Sequence, residues 1–254
     1  MRRRANRAGW AVVSGMLALV ACDKDPVKTD PAPVTPTASA ATATTAPPAA
    51  PTKPQLAVDD SAIFVAGERL ELAAPDLKGR IVAALSGKPV EGETLVLNAA
   101  RDTKMPKVTA LFAALIARKV KGVEVHTPLR DRSPAEIVFV TNAKPSDCSA
   151  VGYIAKDSAI TVWPVAGATA ERFTHGMAGP DMTRGSEGMR KRVLSCESSV
   201  FFVSADENVT WGLTFDLARA VLHPEDAGLP KPRSAALLVK TPVSGRKVDV
   251  DLVE

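Results

Sequence analysis

A strand, a polar turn and a helix follow one another over residues 201–212, which read Phe201-Phe202-Val203-Ser204-Ala205-Asp206-Glu207-Asn208-Val209-Thr210-Trp211-Gly212. The apolar run that starts this stretch is typical of a buried strand. We predict that Asp206 caps the turn or the helix after it. Beyond Gly212 the apolar residues share one helical face, as Leu213, Leu217, Ala220 and Val221.

The neighbouring segments extend this pattern. The sequence predicts a strand at Ser158–Val162, a helix ending near Leu194, and a closing strand within Ala236–Pro242. Between them we expect long loops at 177–188 and 224–234. The first of these loops includes Gly185-Ser186-Glu187-Gly188, which predicts a flexible segment because it lacks the spacing of a nucleophile elbow.

The first half of the chain shows the same order of elements. Strands are predicted at Ala62–Ala66, Arg69–Leu72, Thr94–Ala99, Val123–Thr127 and Glu136–Val140. One helix begins after Asp76 as N-cap, and a second begins at Pro106 and carries an apolar stripe of Val108, Leu111, Phe112, Leu115 and Ile116. Ser61–Val65 matches Ser158–Val162, so the sequence predicts two copies of one α+β unit.

These residues resemble the periplasmic domain of the ExbD/TolR family, whose pattern is strand, Ala-Asp, aromatic-Gly, amphipathic helix, Gly-Val and a closing strand. The second copy carries Ala205-Asp206 and Trp211-Gly212; the first has Met105-Pro106 at the aromatic-Gly position and Gly122-Val123 before its closing strand. The resemblance implies two tandem small mixed-sheet units with helices packed on one face, at 57–141 and 148–254. It also implies a role beside proton-driven complexes of the bacterial envelope.

The amino terminus predicts export. Arg2, Arg3, Arg4 and Arg7 precede an apolar segment of signal-core length, and Leu19-Val20-Ala21-Cys22 resembles the lipobox of bacterial lipoproteins. We therefore expect a signal peptide at 1–21 and a lipid on Cys22, which would anchor the chain facing the periplasm; the sequence leaves inner or outer membrane open. The alternative is an uncleaved anchor. Residues 1–21 contain no Asp or Glu, whereas stator subunits of the family carry an essential carboxylate in their spanning helix.

A disordered tether is predicted from Cys22 to Leu56, since Pro, Ala and Thr dominate this segment and cannot build a core. Removal of residues 1–21 takes four arginines and no acid from a net charge of +4, and the neutral remainder argues against nucleic-acid binding. The two cysteines after Cys22 are Cys148 and Cys196, an even pair that predicts a disulfide in an oxidising compartment. Two separately buried thiols are the alternative.

The sequence lacks the spacing patterns of common catalytic and metal-binding motifs. The histidines His126, His175 and His223 are scattered without a His-x-x-x-His or Cys-x-x-Cys partner, so the sequence predicts no metal, no cofactor and no enzyme. It names no binding residue either.

The function expected from these features is a binding or accessory role in energised envelope transport or envelope integrity. Expected partners are the bilayer, through Cys22, and TonB/Tol-type or motor proteins, peptidoglycan, or a like domain. A true ExbD/TolR-type stator with a transmembrane anchor and a structural peptidoglycan-binding lipoprotein are the alternatives.

Overall fold

The computed structural model describes residues 53–71, 76–175, 179–196, 200–224 and 234–250. The predicted signal peptide, lipidated Cys22 and the tether up to residue 52 lie outside these residues, as do residues 251–254 of the second predicted unit. None of the helices in the described ranges is long and apolar enough to cross a membrane.

Eleven strands and four helices occupy the described residues, which confirms the predicted α+β class. The helices are α1 (Leu77–Ala84), α2 (Met105–Ala117), α3 (Met182–Leu194) and α4 (Trp211–Leu222). The strands are β1 (Leu56–Val58), β2 (Ala62–Val65), β3 (Glu68–Glu71), β4 (Thr94–Ala99), β5 (Gly122–His126), β6 (Glu136–Val140), β7 (Ala150–Ile154), β8 (Ile160–Pro164), β9 (Glu171–Phe173), β10 (Val200–Ala205) and β11 (Ser234–Leu237).

The strands form one mixed sheet in the order β3-β2-β1-β4-β5-β6-β11-β10-β7-β8-β9. In the first half of the protein (residues 53–141), β1, β4 and β5 are parallel, and β2, β3 and β6 are antiparallel to their neighbours. In the second half (residues 148–250), β7, β10 and β11 are parallel, and β8 and β9 are antiparallel to their neighbours. The halves join where β11 runs parallel to β6, with Ala235 opposite Phe139. Strands of both predicted units therefore share one continuous sheet.

The main core lies between the helices and one face of this sheet. Buried residues of all four helices belong to a single cluster with alternate strand residues, such as Leu95, Leu97 and Ala99 of β4. Trp211 is fully buried in this cluster, with its ring centroid 5.6–6.5 Å from those of Phe112, Phe139 and Phe215. The other side chains of each strand point to the opposite face of the sheet, because successive residues of a strand alternate between faces. The helices therefore cover one side of the sheet.

The opposite face differs between the halves. In the second half, a small apolar cluster that includes Trp163 and Phe202 is covered by Val248, and the Trp163 indole N–H donates to the Arg246 carbonyl at 2.9 Å. In the first half, Val96 and Val138 are 42% and 45% exposed on this face. The carboxy-terminal segment thus covers one part of the sheet, and among the described residues it does not extend over the β4–β5–β6 part.

The predicted flexible loop at Gly185-Ser186-Glu187-Gly188 is wrong, because these residues lie inside α3. A Cβ atom on Gly185 would come within 2.7 Å of Ile160, and one on Gly188 within 2.7 Å of Phe173. The glycines therefore let α3 approach the sheet closely, a packing role that offsets their low helix propensity. Asp181 caps the helix by accepting from the Arg184 N–H.

The folded part also begins earlier than predicted. Leu56, assigned to the tether from composition, is 1% exposed and starts β1, where it faces Val65 and Leu97 in register. By contrast, the predicted caps of the first two helices are confirmed: the Asp76 carboxylate accepts from the Gly79 N–H, and Pro106 lies in the first turn of α2.

Candidate functional site

A cleft of about 940 Å³ opens where the parallel strands β1, β4 and β5 end. Its walls come from these strand ends, from the loop between β5 and β6, and from α4. The lining residues are Ala57, Val58, Asp59, Asn98, Ala99, Ala100, His126, Thr127, Pro128, Arg132, Pro134, Ala135, Glu136, Arg219 and His223. In open sheets with parallel strands, the carboxyl ends are the usual place for a ligand.

Main-chain and hydroxyl hydrogen bonds hold the floor of this cleft together. The Ala100 N–H donates to the Val58 carbonyl at 2.9 Å, which ties the end of β4 to the end of β1. The buried Thr127 hydroxyl donates to the Ala99 carbonyl at 3.1 Å and so ties β5 to β4. The three strand ends are therefore fixed relative to one another before any ligand binds.

The cleft carries charges of both signs. Asp59 accepts hydrogen bonds from the Ser61 hydroxyl and from the Ser61 and Ala62 N–H groups, at 2.7–2.8 Å. These bonds, the hydroxyl first, lower the pKa of Asp59 below its ordinary value of 3.8, so its carboxylate is charged at neutral pH. Arg132 and Arg219 line the same cleft. The site therefore offers the carboxylates of Asp59 and Glu136 and two guanidinium groups to a polar ligand.

A histidine with two glutamates lies at the edge of the cleft. Glu124 and His126 belong to β5, and Glu136 faces His126 from β6. The His126 Nε2 atom lies 2.6 Å from Glu124 Oε1 and 3.5 Å from Glu136 Oε2. Within the described residues these three side chains are the set with metal-ligating atoms that converge, all within 4.8 Å of one another.

The two segments that carry the family resemblance contact each other across the halves. Lys104 lies opposite Thr210 as an antiparallel bridge. The Trp211 N–H donates to the Thr103 carbonyl at 2.7 Å, and the Met105 N–H donates to the Val209 carbonyl at 3.3 Å. We call this pairing of residues 103–105 with 209–211 the seam.

Side chains reinforce the seam. The Trp211 indole N–H donates to the Thr127 hydroxyl at 2.8 Å. Gly212 allows close contact, because a Cβ atom there would lie 3.0 Å from the Arg101 carbonyl oxygen, which accepts from the Gly212 N–H. Asp206 caps the turn as predicted: its carboxylate accepts from the Asn208 N–H, which is the main reason for its lowered pKa. The aromatic-Gly pair and the Asp are thus structural in this fold.

An ion pair joins the halves beside the seam. Arg101, after β4, donates to both carboxylate oxygens of Asp216 on α4, at 2.6 and 2.9 Å, and also to the Pro128 carbonyl at 3.0 Å. The Asp216 carboxylate raises the pKa of Arg101 above its ordinary value through this bidentate bond. Arg130 approaches the same carboxylate at 3.4 Å. This network fixes α4, and with it Arg219, against the first-half loops.

The predicted cysteine pair is brought together: Cys148 and Cys196 are within disulfide distance, with Cα atoms 5.6 Å apart. The three histidines lie in three different places. His126 lies in the Glu-His-Glu cluster, His175 lies 4.0 Å from Asp181, and His223 lines the cleft from the end of α4. Cys22 lies outside the described residues.

Sequence reasoning missed the Glu-His-Glu cluster because it sought ligands along one segment. A signal was present in Val123-Glu124-Val125-His126, where alternation on a strand places Glu124 and His126 on one face. The third member, Glu136, is added by the register between β5 and β6, which the sequence alone does not specify. Comparison with protein-family models, with curated proteins and with solved structures finds no match for this chain.

Proposed function

We propose that this protein is an envelope lipoprotein, anchored through Cys22, whose two ExbD/TolR-like units form a binding module rather than an enzyme. It faces the periplasm and acts as an accessory partner of complexes that energise transport or maintain envelope integrity. The observation that carries the proposal is a set of equivalent hydrogen bonds in the two halves, located in the segments that resemble the family.

The equivalence is specific at the residue level. β4 and β10 start 106 residues apart, at Thr94 and Val200, and α2 and α4 start at Met105 and Trp211 with the same spacing. The turn after each central strand is closed by bonds at this spacing too, Thr103 N–H to Ala100 and Val209 N–H to Asp206. Such repetition supports a duplicated unit with the order expected from the family resemblance.

The two copies meet as a symmetric pair would. With a spacing of 106, Thr103 corresponds to Val209, Lys104 to Thr210 and Met105 to Trp211. In each seam bond, the N–H of Met105 or its equivalent Trp211 donates to the carbonyl of Thr103 or its equivalent Val209 in the other half. Lys104 faces its own equivalent, Thr210. A self-complementary contact of this kind is typical of a two-fold dimer interface. It supports the interpretation of the chain as two fused like units.

The cleft supports binding as the role of this pair. It lies at the ends of β1, β4 and β5, and its walls come from the first-half strands and from Arg219 and His223 of the second-half helix. Its volume of about 940 Å³ is suited to a peptide segment or a glycan fragment. A partner that enters the cleft would contact both copies at once.

The lipid anchor is tested by labelling. Cells that express the protein are fed radioactive palmitate, and the purified chain is compared with a Cys22→Ser variant. We expect label on the parent protein alone, and globomycin should cause the unprocessed precursor to accumulate. A parent chain that carries no label and keeps residues 1–21 would contradict the anchor and favour the uncleaved transmembrane alternative.

The partner is tested by crosslinking in cells, followed by affinity purification from membranes. Asn98→Trp places a large ring in the cleft, and Val96→Trp is its matched control, because both residues are exposed on β4 and only Asn98 lines the cleft. The parent and the Val96 variant should recover a TonB/Tol-type or motor component, and the Asn98 variant several-fold less. If none of the three recovers such a component, the transport role is wrong; retention on purified peptidoglycan would then favour the structural alternative.

A further inference from the structure

We propose that Glu124, His126 and Glu136 bind one divalent transition-metal ion, of which Zn²⁺ is the type best matched to the ligands. This site goes beyond the binding role proposed above and does not depend on the lipid anchor or on a protein partner.

The fold brings the three side chains to one place on the uncovered face of the sheet. Glu124 and His126 are two residues apart on β5, so both project from the same face. β6 runs antiparallel to β5 with Glu136 directly opposite His126. Cross-strand neighbours of this kind have Cβ atoms about 4.5–5.5 Å apart, close enough for one ion to reach both side chains.

The ligand atoms are spaced as a small ion requires. Bonds of about 2.0–2.2 Å from Zn²⁺ to histidine nitrogen and carboxylate oxygen place neighbouring ligand atoms about 3–4 Å apart. His126 Nε2 lies 3.5 Å from Glu136 Oε2, and all three atoms lie within 4.8 Å. The distance between His126 and Glu124, 2.6 Å as a hydrogen bond, has to lengthen to at least about 3 Å, which a glutamate side chain achieves by rotation.

The ion pairs of Glu124 and Glu136 are with His126, and Arg132 and Arg219 line the same cleft without an ion pair to either glutamate among the described residues. Glu124 and His126 are 35% and 39% exposed, whereas Glu136 is 70% exposed and forms the solvent side of the cluster. Two carboxylates held beside one imidazole without a permanent cation are stabilised by a bound metal ion.

The donor set selects the metal. One imidazole nitrogen with two carboxylate oxygens suits Zn²⁺ and its transition-metal neighbours, whereas Ca²⁺ requires six to eight oxygen ligands. Three protein ligands leave a fourth position of a tetrahedral site for water or another donor. Since His126 and Glu136 also line the cleft, that position lies at the cleft edge.

The test uses calorimetric titration of the purified full chain with Zn²⁺. All proteins carry Cys22→Ser, which removes the one cysteine outside the Cys148–Cys196 pair and so prevents zinc binding by a free thiol. The variants are H126Q and E124Q, and H175Q is the matched control because His175 lies beside the single carboxylate of Asp181. Far- and near-ultraviolet circular dichroism verifies that each variant is folded.

We expect one Zn²⁺ per chain, an affinity about tenfold weaker or worse in H126Q and E124Q, and no change in H175Q. Co²⁺ bound in place of Zn²⁺ should give the visible absorption of a four-coordinate ion in the parent, and this absorption should disappear in H126Q. Absence of saturable Zn²⁺ binding to the parent, or equal affinity in the parent and H126Q, would overturn the proposal.

Discussion

The ion pair between Arg101 and Asp216 provides a direct test of how the halves are held together. Arg101→Met keeps the aliphatic length of the side chain and removes its charge and hydrogen bonds, and Asp216→Asn keeps the shape of the carboxylate. The pair is bidentate, and its side chains are only 22% and 18% exposed. The free-energy cost of disrupting it should therefore lie between that of an exposed pair, about 0–1 kcal/mol, and that of a buried pair, about 3–5 kcal/mol.

We expect Arg101→Met to lower the free energy of unfolding by about 2–3 kcal/mol, because it also removes the bond to the Pro128 carbonyl. Asp216→Asn should cost about 1–2 kcal/mol, since an amide oxygen still accepts one bond from Arg101. The coupling energy from the double-mutant cycle should be about 1–2 kcal/mol. Arg130 lies 3.4 Å from the same carboxylate and partly replaces the attraction that Asp216 loses when Arg101 is changed. This replacement sets the lower end of the range for the coupling energy.

Urea unfolding, followed by fluorescence and circular dichroism, measures the four free energies of the cycle. The pair Arg192–Glu171 is the internal control, because its atoms are also 2.6 Å apart but its side chains are 26% and 54% exposed within the second half. Its coupling energy should be below about 0.5–1 kcal/mol. A coupling energy for Arg101 and Asp216 no larger than that of the control pair would refute the assignment of a stabilising role to this contact.

Three further results are expected. Opening the bond between Cys148 and Cys196, which closes a separation of 48 residues, should lower the free energy of unfolding by about 2–4 kcal/mol, and alkylation with mass detection should find these thiols free only after reduction. Trp211→Phe should cost about 1–3 kcal/mol in urea unfolding because the buried Thr127 hydroxyl loses its donor; a cost near zero would contradict the seam bond. Because the pKa of Asp59 is lowered in the folded protein, its charged carboxylate contributes stability above about pH 4, and this contribution is lost as pH falls. Asp59→Asn should therefore flatten the loss of unfolding free energy between about pH 5 and pH 2 in acid titration.

The sequence predicted best where one pattern was long enough to exclude others. The strand predicted at Thr94–Ala99 is β4 with the same bounds, and the stripe from Val108 to Ile116 lies within α2, which begins at Met105, one residue before the predicted Pro106. β1 was missed because three residues behind a Pro-rich segment carry too little periodicity. α3 was assigned in part to a loop because Gly185 and Gly188 are poor helix formers when tertiary packing is unknown.

The site could not be predicted for a different reason. A cleft at the ends of β1, β4 and β5 requires the order of strands in the sheet, and β1 pairs with β4 across an intervening hairpin and helix. The Glu-His-Glu cluster requires the register that places Glu136 opposite His126. Both are products of long-range pairing, whereas periodicity reports only which face of an element is buried.

The position of the seam alters what the family resemblance can imply. The residues that carry the resemblance, Asp206 and the Trp211-Gly212 pair, cap a turn, fill the core and allow close approach of the Arg101 backbone. They are committed to holding the fold together, so their presence says little about a ligand. The surfaces on which the two halves differ are therefore the better place to test for a ligand. The cleft is one such surface, since its strand ends belong to the first half and Arg219 and His223 of the second half complete its wall. The Asn98 and His126 variants examine this cleft directly, because both side chains line it.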